Sequence, residues 1–180
     1  MKTILVTAFE PFGGEEINPS ELVLGMLSDQ IEGYSIRKLV LPVEYGISAD
    51  ITASEYDRLQ PSALIMLGQA GGRSAISIET TARNHTDTNG PDTLRSTLPV
   101  DSLKEALEGR GISCEISDDA GTYVCNSLFY SMLEHSSDVP TGFIHVPYIK
   151  EQGHADKPYM DLSEIKAGIE AVIEAVTYSL

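Results

Sequence analysis

The sequence predicts an α/β protein whose largely parallel sheet carries helices on both faces. Three observations lead there. Apolar runs of strand length alternate with stretches of helical period along the chain. Several of those runs are apolar almost without interruption, as strands covered on both sides are. Turn-rich and glycine-rich segments follow the runs directly, where such sheets place their ligand-binding loops. A chain of 180 residues suits one domain, read here as 1–180, with a core that needs no disulfide staples.

In chain order, Thr3 to Thr7 is the first buried strand, and it opens into the loop Phe9-Glu10-Pro11-Phe12-Gly13-Gly14. Asn18-Pro19-Ser20 starts a helix, with Asn18 as N-cap and Pro19 at the first helical position. Leu22, Val23, Met26 and Leu27 form its apolar side. Tyr34 to Val40 alternates as a second strand, and a helix spans about Ile47 to Leu59. Ala63 to Leu67 is a buried strand that runs into Gly68-Gln69-Ala70-Gly71-Gly72-Arg73. Ile76 to Ala82 reads as one extended segment. Asn84 to Ser96 reads as polar loop, with turn chemistry at Asn89-Gly90-Pro91. A helix from about Val100 to Glu108 is closed by Gly111. The strand Cys114–Ser117 then leads through Ala120-Gly121-Thr122 into a helix for which Thr122 is the expected N-cap. Gly142 to Val146 is the last strand, 147–159 is loop, and a helix runs from about Leu162 to Tyr178. Ile165, Ile169, Val172, Ile173 and Val176 share one side of it.

Composition narrows the function. Twelve Lys and Arg against 27 Asp and Glu give a formal charge of −15. That argues against nucleic acid and anionic membrane as partners, because neutralising phosphate needs clustered cations. No run reaches the ~20 apolar residues of a membrane span, and the apolar N-terminal run is too short for a signal peptide. Two cysteines, Cys114 and Cys125, are too few for a disulfide framework or a metal site. The expectation is a reducing, cytoplasmic setting, with no metal.

Cys125 falls in the first turn of its helix, where free N–H groups and the positive dipole end favour a thiolate. The alternative is a small apolar filler, since free cysteine is often buried. A thiolate nucleophile needs a base, and the base an orienting group. Of the four histidines, His145 alone lies inside an apolar strand, Phe143-Ile144-His145-Val146. It reads either as a base or as a hydrogen-bonded core residue. Glu79 is the matching oddity in Ile76-Ser77-Ile78-Glu79, either an orienting acid or an edge-strand solvent residue. The glycine-rich loop at Gly68 lacks the spacing of a phosphate or dinucleotide motif. It is either a tight turn or backbone approaching a ligand. Phe9 and Phe12, in a loop at a strand end, are candidate pocket walls.

Four of these stretches together resemble one family. Thr7 to Gly14 with Asn18-Pro19-Ser20 closely resembles the N-terminal signature of the type I pyroglutamyl peptidases, the pyrrolidone-carboxylate peptidases. Gly68 to Arg73 followed by Glu79 is similar to that family's glutamate motif. Ala120 to Asn126 is similar to its cysteine motif, and Gly142 to Pro147 to its histidine motif. The resemblance implies a three-layer α/β/α sandwich, no cofactor, small pyroglutamyl peptides as substrates, and a homo-oligomer, tetramer or dimer. It implies Cys125 as nucleophile, His145 as base and acid, and Glu79 as its orienting group. Phe9 and Phe12 then line the pocket for the pyrrolidone ring, with Gln69 beside it.

One stretch departs from the family. Between Asn84 and Ser96-Thr97-Leu98-Pro99 its members carry a longer loop with an Asp-Ala-Arg-Ile-Pro-Asp-Asn run. Here that loop is shorter by more than ten residues, a loss on the order of one or two ordinary loop lengths. The expected reaction is removal of an N-terminal pyroglutamate through a thioester. The shortened loop keeps two rivals open: a cysteine amidase or deacylase of altered specificity, and a catalytically silent binding protein.

Overall fold

The computed structural model describes residues 2–85, 89–136 and 138–180. Among them a seven-stranded sheet is flanked by helices on both faces, the α/β/α sandwich the sequence predicts. The sheet contains β1 (Thr3–Phe9), β2 (Gln30–Ile31), β3 (Tyr34–Leu41), β4 (Ala63–Gln69), β5 (Ile76–Glu79), β8 (Cys114–Ser117) and β9 (Thr141–Val146). Their spatial order is β2-β3-β1-β4-β9-β5-β8. Strands β3, β1, β4 and β9 are parallel to one another. Strand β5 runs against β9, β8 follows β5 in parallel, and β2 is antiparallel to β3.

The two faces have separate cores. Ile4, Val6, Ile65, Leu67, Ile144 and Val146 point to the side covered by α1 (Pro19–Met26), α3 (Val100–Gly109) and α5 (Leu162–Tyr178). Leu5, Phe9, Leu64, Met66 and Phe143 point to the side covered by α2 (Ile47–Leu59) and α4 (Val124–His135). The alternation is the period of two that a strand imposes. Helix α5 buries all five residues expected on its apolar side. In α1 Val23 is buried as expected, Leu27 is buried at its C-cap and Leu22 packs partly buried on the same core; Leu24 joins them, while Met26 is exposed.

Local chemistry sets the element ends. Asn18 caps α1 by accepting from the Ser20 N–H at 3.0 Å, and its Nδ2 holds the Glu10 carbonyl at 3.1 Å. One side chain thereby starts the helix and pins the loop that carries Phe12. Gly111 ends α3 at a φ of 70°, a conformation glycine adopts without strain.

Four expectations change. The extended segment from Ile76 breaks at Thr80 into β5 and a separate strand, β6 (Thr81–Arg83). The region read as polar loop contains β7 (Thr93–Arg95), antiparallel to β6, so the shortened loop is a two-stranded hairpin. Thr86, Asp87 and Thr88 of that loop lie outside the described residues. The segment 147–159 includes a 3-10 turn, Lys150–Gln152. Finally, Tyr123 and not Thr122 stands at the N-cap of α4, with no side-chain hydrogen bond. The carbonyl of Thr122 accepts from the Tyr45 hydroxyl at 3.1 Å, and the preceding Gly121 takes a φ of 81°.

Candidate active site

Strands β1, β4 and β9 end side by side, and Phe9, Gln69 and His145 at or next to their ends line a cavity of about 560 Å³. Five sequence-predicted residues line it: Phe9, Phe12, Gln69, Cys125 and His145. The sixth, Glu79, is fully buried behind His145. Phe9 is core as well as wall, at 2% exposure, whereas Phe12 is 38% exposed on its loop.

Register explains why the acid and the histidine meet. Antiparallel pairing sets Ser77 opposite His145 and Glu79 opposite Phe143. All four side chains therefore share one face. Glu79 Oε1 lies 2.7 Å from His145 Nδ1. A carboxylate can only accept, so Nδ1 carries the proton and Nε2 is left as the basic nitrogen. Strand β5 lies between β9 and β8, so Glu79 is not an edge-strand solvent residue.

Burying a carboxylate is costly unless it is paired. Arg73 supplies the second partner, its guanidinium 2.6 Å from the same Oε1. Its other nitrogen donates to the Asp119 carbonyl at 2.8 Å. Arg73 thus joins the acid to the segment leading into the cysteine helix. Burial alone would raise the Glu79 carboxyl. The His145 hydrogen bond and charge, with Ser117 and Arg73 behind them, hold it below the usual carboxylate range. Its Oε2 is buried with no hydrogen bond among the described residues, although the Ser117 hydroxyl, paired with it across the strands, favours the charged form.

Cys125 reaches the site from the helix layer above that face. Gly68, opposite His145 in the register of β4 and β9, makes room for it. A Cβ on Gly68 would stand 3.0 Å from Cys125 Sγ and 2.8 Å from the Phe143 ring. Gly71 does the same for Tyr148, whose ring would lie 2.2 Å from a Cβ there. These glycines serve close packing of site side chains against backbone.

Cys125 keeps part of its surface open to the cavity. Burial pushes its thiol up to about 12; the Glu79 charge adds to this and the cysteine's own N–H opposes it. The helix start favours the thiolate as the sequence suggested, but desolvation outweighs it. The first N–H groups of α4 have no side-chain cap. Asn126, next in the motif, instead clamps the backbone of Arg83, accepting from its N–H at 2.9 Å and donating to its carbonyl at 2.8 Å. That ties α4 to the hairpin.

The sequence pattern singled out neither Arg73 nor Gln152. Arg73 stood inside a glycine-rich motif, but nothing local marked it as the partner of Glu79. Gln152 sits in a polar loop and donates to Gln69 Oε1 at 2.8 Å. No group of three or more His, Cys, Asp or Glu among the described residues is arranged to hold a metal ion. No helix among them is long and apolar enough to cross a membrane.

The sequence model of the family described as pyroglutamyl peptidase matches residues 2–94 and 85–179. The two matches meet at the shortened hairpin. A curated relative, pyrrolidone-carboxylate peptidase 1 of Caldanaerobacter subterraneus, is 36% identical, with 98% of each chain covered. That alignment runs over 200 positions against a chain of 180, so it passes over residues this chain lacks. Pyrrolidone-carboxylate peptidase of Escherichia fergusonii is 37% identical over 99% of this chain and 94% of its own. Among solved structures, a mutant pyrrolidone carboxyl peptidase of Pyrococcus furiosus superposes with a TM-score of 0.93 at 35% identity, covering 99% of both chains. Pyroglutamyl peptidase I of Bacillus amyloliquefaciens gives 0.93 at 31% identity, covering 97% of this chain and 94% of that one.

Proposed function

The chain belongs to the pyroglutamyl peptidase family, and we propose that Cys125, His145 and Glu79 cut N-terminal pyroglutamate from peptides through a thioester. The family is one of cysteine peptidases, and its substrates are peptides. The observation that carries the finer assignment is the 2.7 Å contact between Glu79 and His145 Nδ1, with Cys125 lining the same cavity as His145.

The substrate has no cationic N-terminus, so recognition rests on a small flat ring. Phe9 and Phe12 give it apolar walls. The thiol is neutral at rest because burial raises it. His145 Nε2 takes the Cys125 proton as sulfur attacks the pyroglutamyl carbonyl. The oxyanion is held by the uncapped N–H groups at the start of α4, each such donor worth roughly 3 kcal/mol. The C–N bond then breaks, and His145 gives its proton to the departing amine. Water is deprotonated by the same nitrogen and attacks the thioester. Pyroglutamate leaves and the thiol is restored. Glu79 fixes the imidazole orientation and stabilises its charged form throughout. A thiol doing this work must stay reduced, which favours the cytoplasm.

The decisive measurement is hydrolysis of pyroglutamyl-aminomethylcoumarin by the wild type and by Cys125→Ala. The variant should retain the wild-type melting curve and lose turnover. A variant keeping most of its activity removes Cys125 as nucleophile. The short connection between β6 and β7 supports one second reading, a cysteine amidase with a reshaped pocket. Faster hydrolysis of another aminoacyl-coumarin than of the pyroglutamyl one would favour it.

A further inference from the structure

Gln152 closes the 3-10 turn after β9, and its neighbours fix which way its amide points. The Ile149 N–H can only donate, and it bonds Gln152 Oε1 at 3.1 Å. Around Nε2 lie Gln69 Oε1 at 2.8 Å, Glu15 Oε2 at 3.3 Å and the Ile17 carbonyl at 3.4 Å. A carboxylate oxygen and a backbone carbonyl accept, so the amide –NH2 of Gln152 faces them. The Gln69 atom that meets this –NH2 must then be its oxygen. Its nitrogen is left over, and that nitrogen makes no hydrogen bond among the described residues.

Gln69 is 9% exposed and lines the cavity with Cys125 and His145. That nitrogen is not among the buried atoms left without a partner, so it is open to the cavity and can be given to an acceptor on a ligand. The surroundings hold the arrangement. Glu15 is itself fixed by His154 at 2.6 Å, and His154 stacks on Tyr148 at 4.1 Å between ring centres.

We propose that Gln152 is a positioning residue that holds Gln69 as a hydrogen-bond donor to the lactam carbonyl of the bound ring. This rests on the pyroglutamyl reading above and names the group by which the ring is told apart. Proline has the same ring with a methylene in place of that carbonyl. It would leave the Gln69 donor unpaired, and sites built around a hydrogen bond reject analogues that cannot make it. The chain of fixed donors and acceptors, from Ile149 through Gln152 to Gln69, decides the polarity of the pocket.

The test compares wild type, Gln152→Leu and Gln152→Glu. The readouts are pyroglutamyl-coumarin kinetics and the protection of Cys125 from iodoacetamide by 2-pyrrolidone. In Gln152→Leu the Gln69 amide is free to turn. KM and the 2-pyrrolidone constant should each rise about tenfold, with kcat and the unprotected alkylation rate close to wild type. Gln152→Glu, made in a Glu15→Gln background so that two carboxylates do not meet at 3.3 Å, puts an acceptor against Gln69, which turns the Gln69 oxygen toward the cavity. Its loss should exceed that of the leucine variant, and it carries the test if Gln152→Leu does not fold. An unchanged KM in both variants overturns the relay alone. A fall in kcat and alkylation together overturns it too, because Gln152 would then merely support the site. A wild type that neither cleaves the pyroglutamyl substrate nor is protected by 2-pyrrolidone brings down the pyroglutamyl reading and this one with it.

Discussion

Replacing Gly68 by alanine tests the packing of the site against the sheet. The added methyl carbon would stand 2.8 and 2.9 Å from two Phe143 ring atoms and 3.0 Å from Cys125 Sγ. Carbon contacts settle at about 3.5–4.0 Å, so something must yield by roughly 1 Å. Phe143 has little room to do so. It is fully buried, with ring centres of His145 at 4.7 Å and Phe129 at 5.9 Å. Overpacking of this kind costs about 1–3 kcal/mol. For a chain of this size each kcal/mol lowers Tm by about 2–4 °C. The larger effect falls on chemistry. The groups that must move are the sulfur and the ring packed on the imidazole; with Cys125 as the proposed nucleophile, its displacement by about 1 Å costs about 100-fold in rate. Pyroglutamyl-coumarin kinetics and thermal melting measure both. Gly25→Ala is the control: that glycine is exposed in α1, and a Cβ added to it would meet nothing within 4 Å. It should raise stability by about 0.5–1 kcal/mol at unchanged activity. A Gly68→Ala enzyme with wild-type melting and turnover would refute the close approach of sulfur, ring and backbone.

Two pH dependences follow from the same site. Glu79 titrates below its unfolded value when folded, so its contribution to stability is full above about pH 4.3 and is lost as pH falls through the lower folded value. Melting between pH 6 and pH 3 should therefore show a steeper loss in the wild type than in Glu79→Gln, and equal slopes would show that the pair does not couple to folding. For Cys125, the thiol raised to about 12 predicts an iodoacetamide rate that climbs about tenfold per pH unit with no plateau below about pH 10. A flat rate from pH 5 to 8 would instead mark a resting thiolate–imidazolium pair.

What the sequence disclosed and what it hid divide along physical lines. Helix α5 and strand β8 have the bounds expected from their patterns, because a long amphipathic period or a bounded alternating run is a local signal; α2 also has its expected bounds, although Ile47 and Ile51 are exposed and its buried face is Ser48, Ala49, Thr52 and Tyr56. Strands β2 and β7 were not foreseen. They are two and three residues long, and exist because a neighbouring strand offers hydrogen bonds. Glu79 and His145 stood out as ionisable groups in apolar runs. Which way β5 runs, and hence whether the two meet, depends on pairing that no local pattern encodes. Thr122 has the chemistry of an N-cap, but the cap falls one residue later, at Tyr123, and the Thr122 carbonyl meets Tyr45, 77 positions away. Arg73 and Gln152 were invisible for the same reason, since their roles lie in partners across the fold.

The reversal of β5 and β8 has a chemical consequence. Had β5 run parallel to β9, its carboxyl end would have finished at the open edge with β1, β4 and β9, and a glutamate there would face water. Running the other way, β5 begins at that edge and carries Glu79 inward, to the level of Phe143 and one side-chain step beneath His145. The acid is thus fully buried, it reaches Nδ1 from the core side, and the opposite nitrogen is left for the cavity. The same reversal leaves β8 ending at Ser117, beside Glu79, so the segment that follows passes Arg73 on its way to α4. One arginine can therefore hold both the acid and the approach to the cysteine helix. The site is assembled from three directions: sheet edge for the pocket walls, sheet interior for the acid and imidazole, helix layer for the sulfur. The hairpin of β6 and β7 lies outside the seven-stranded sheet whose strands carry the acid and the imidazole.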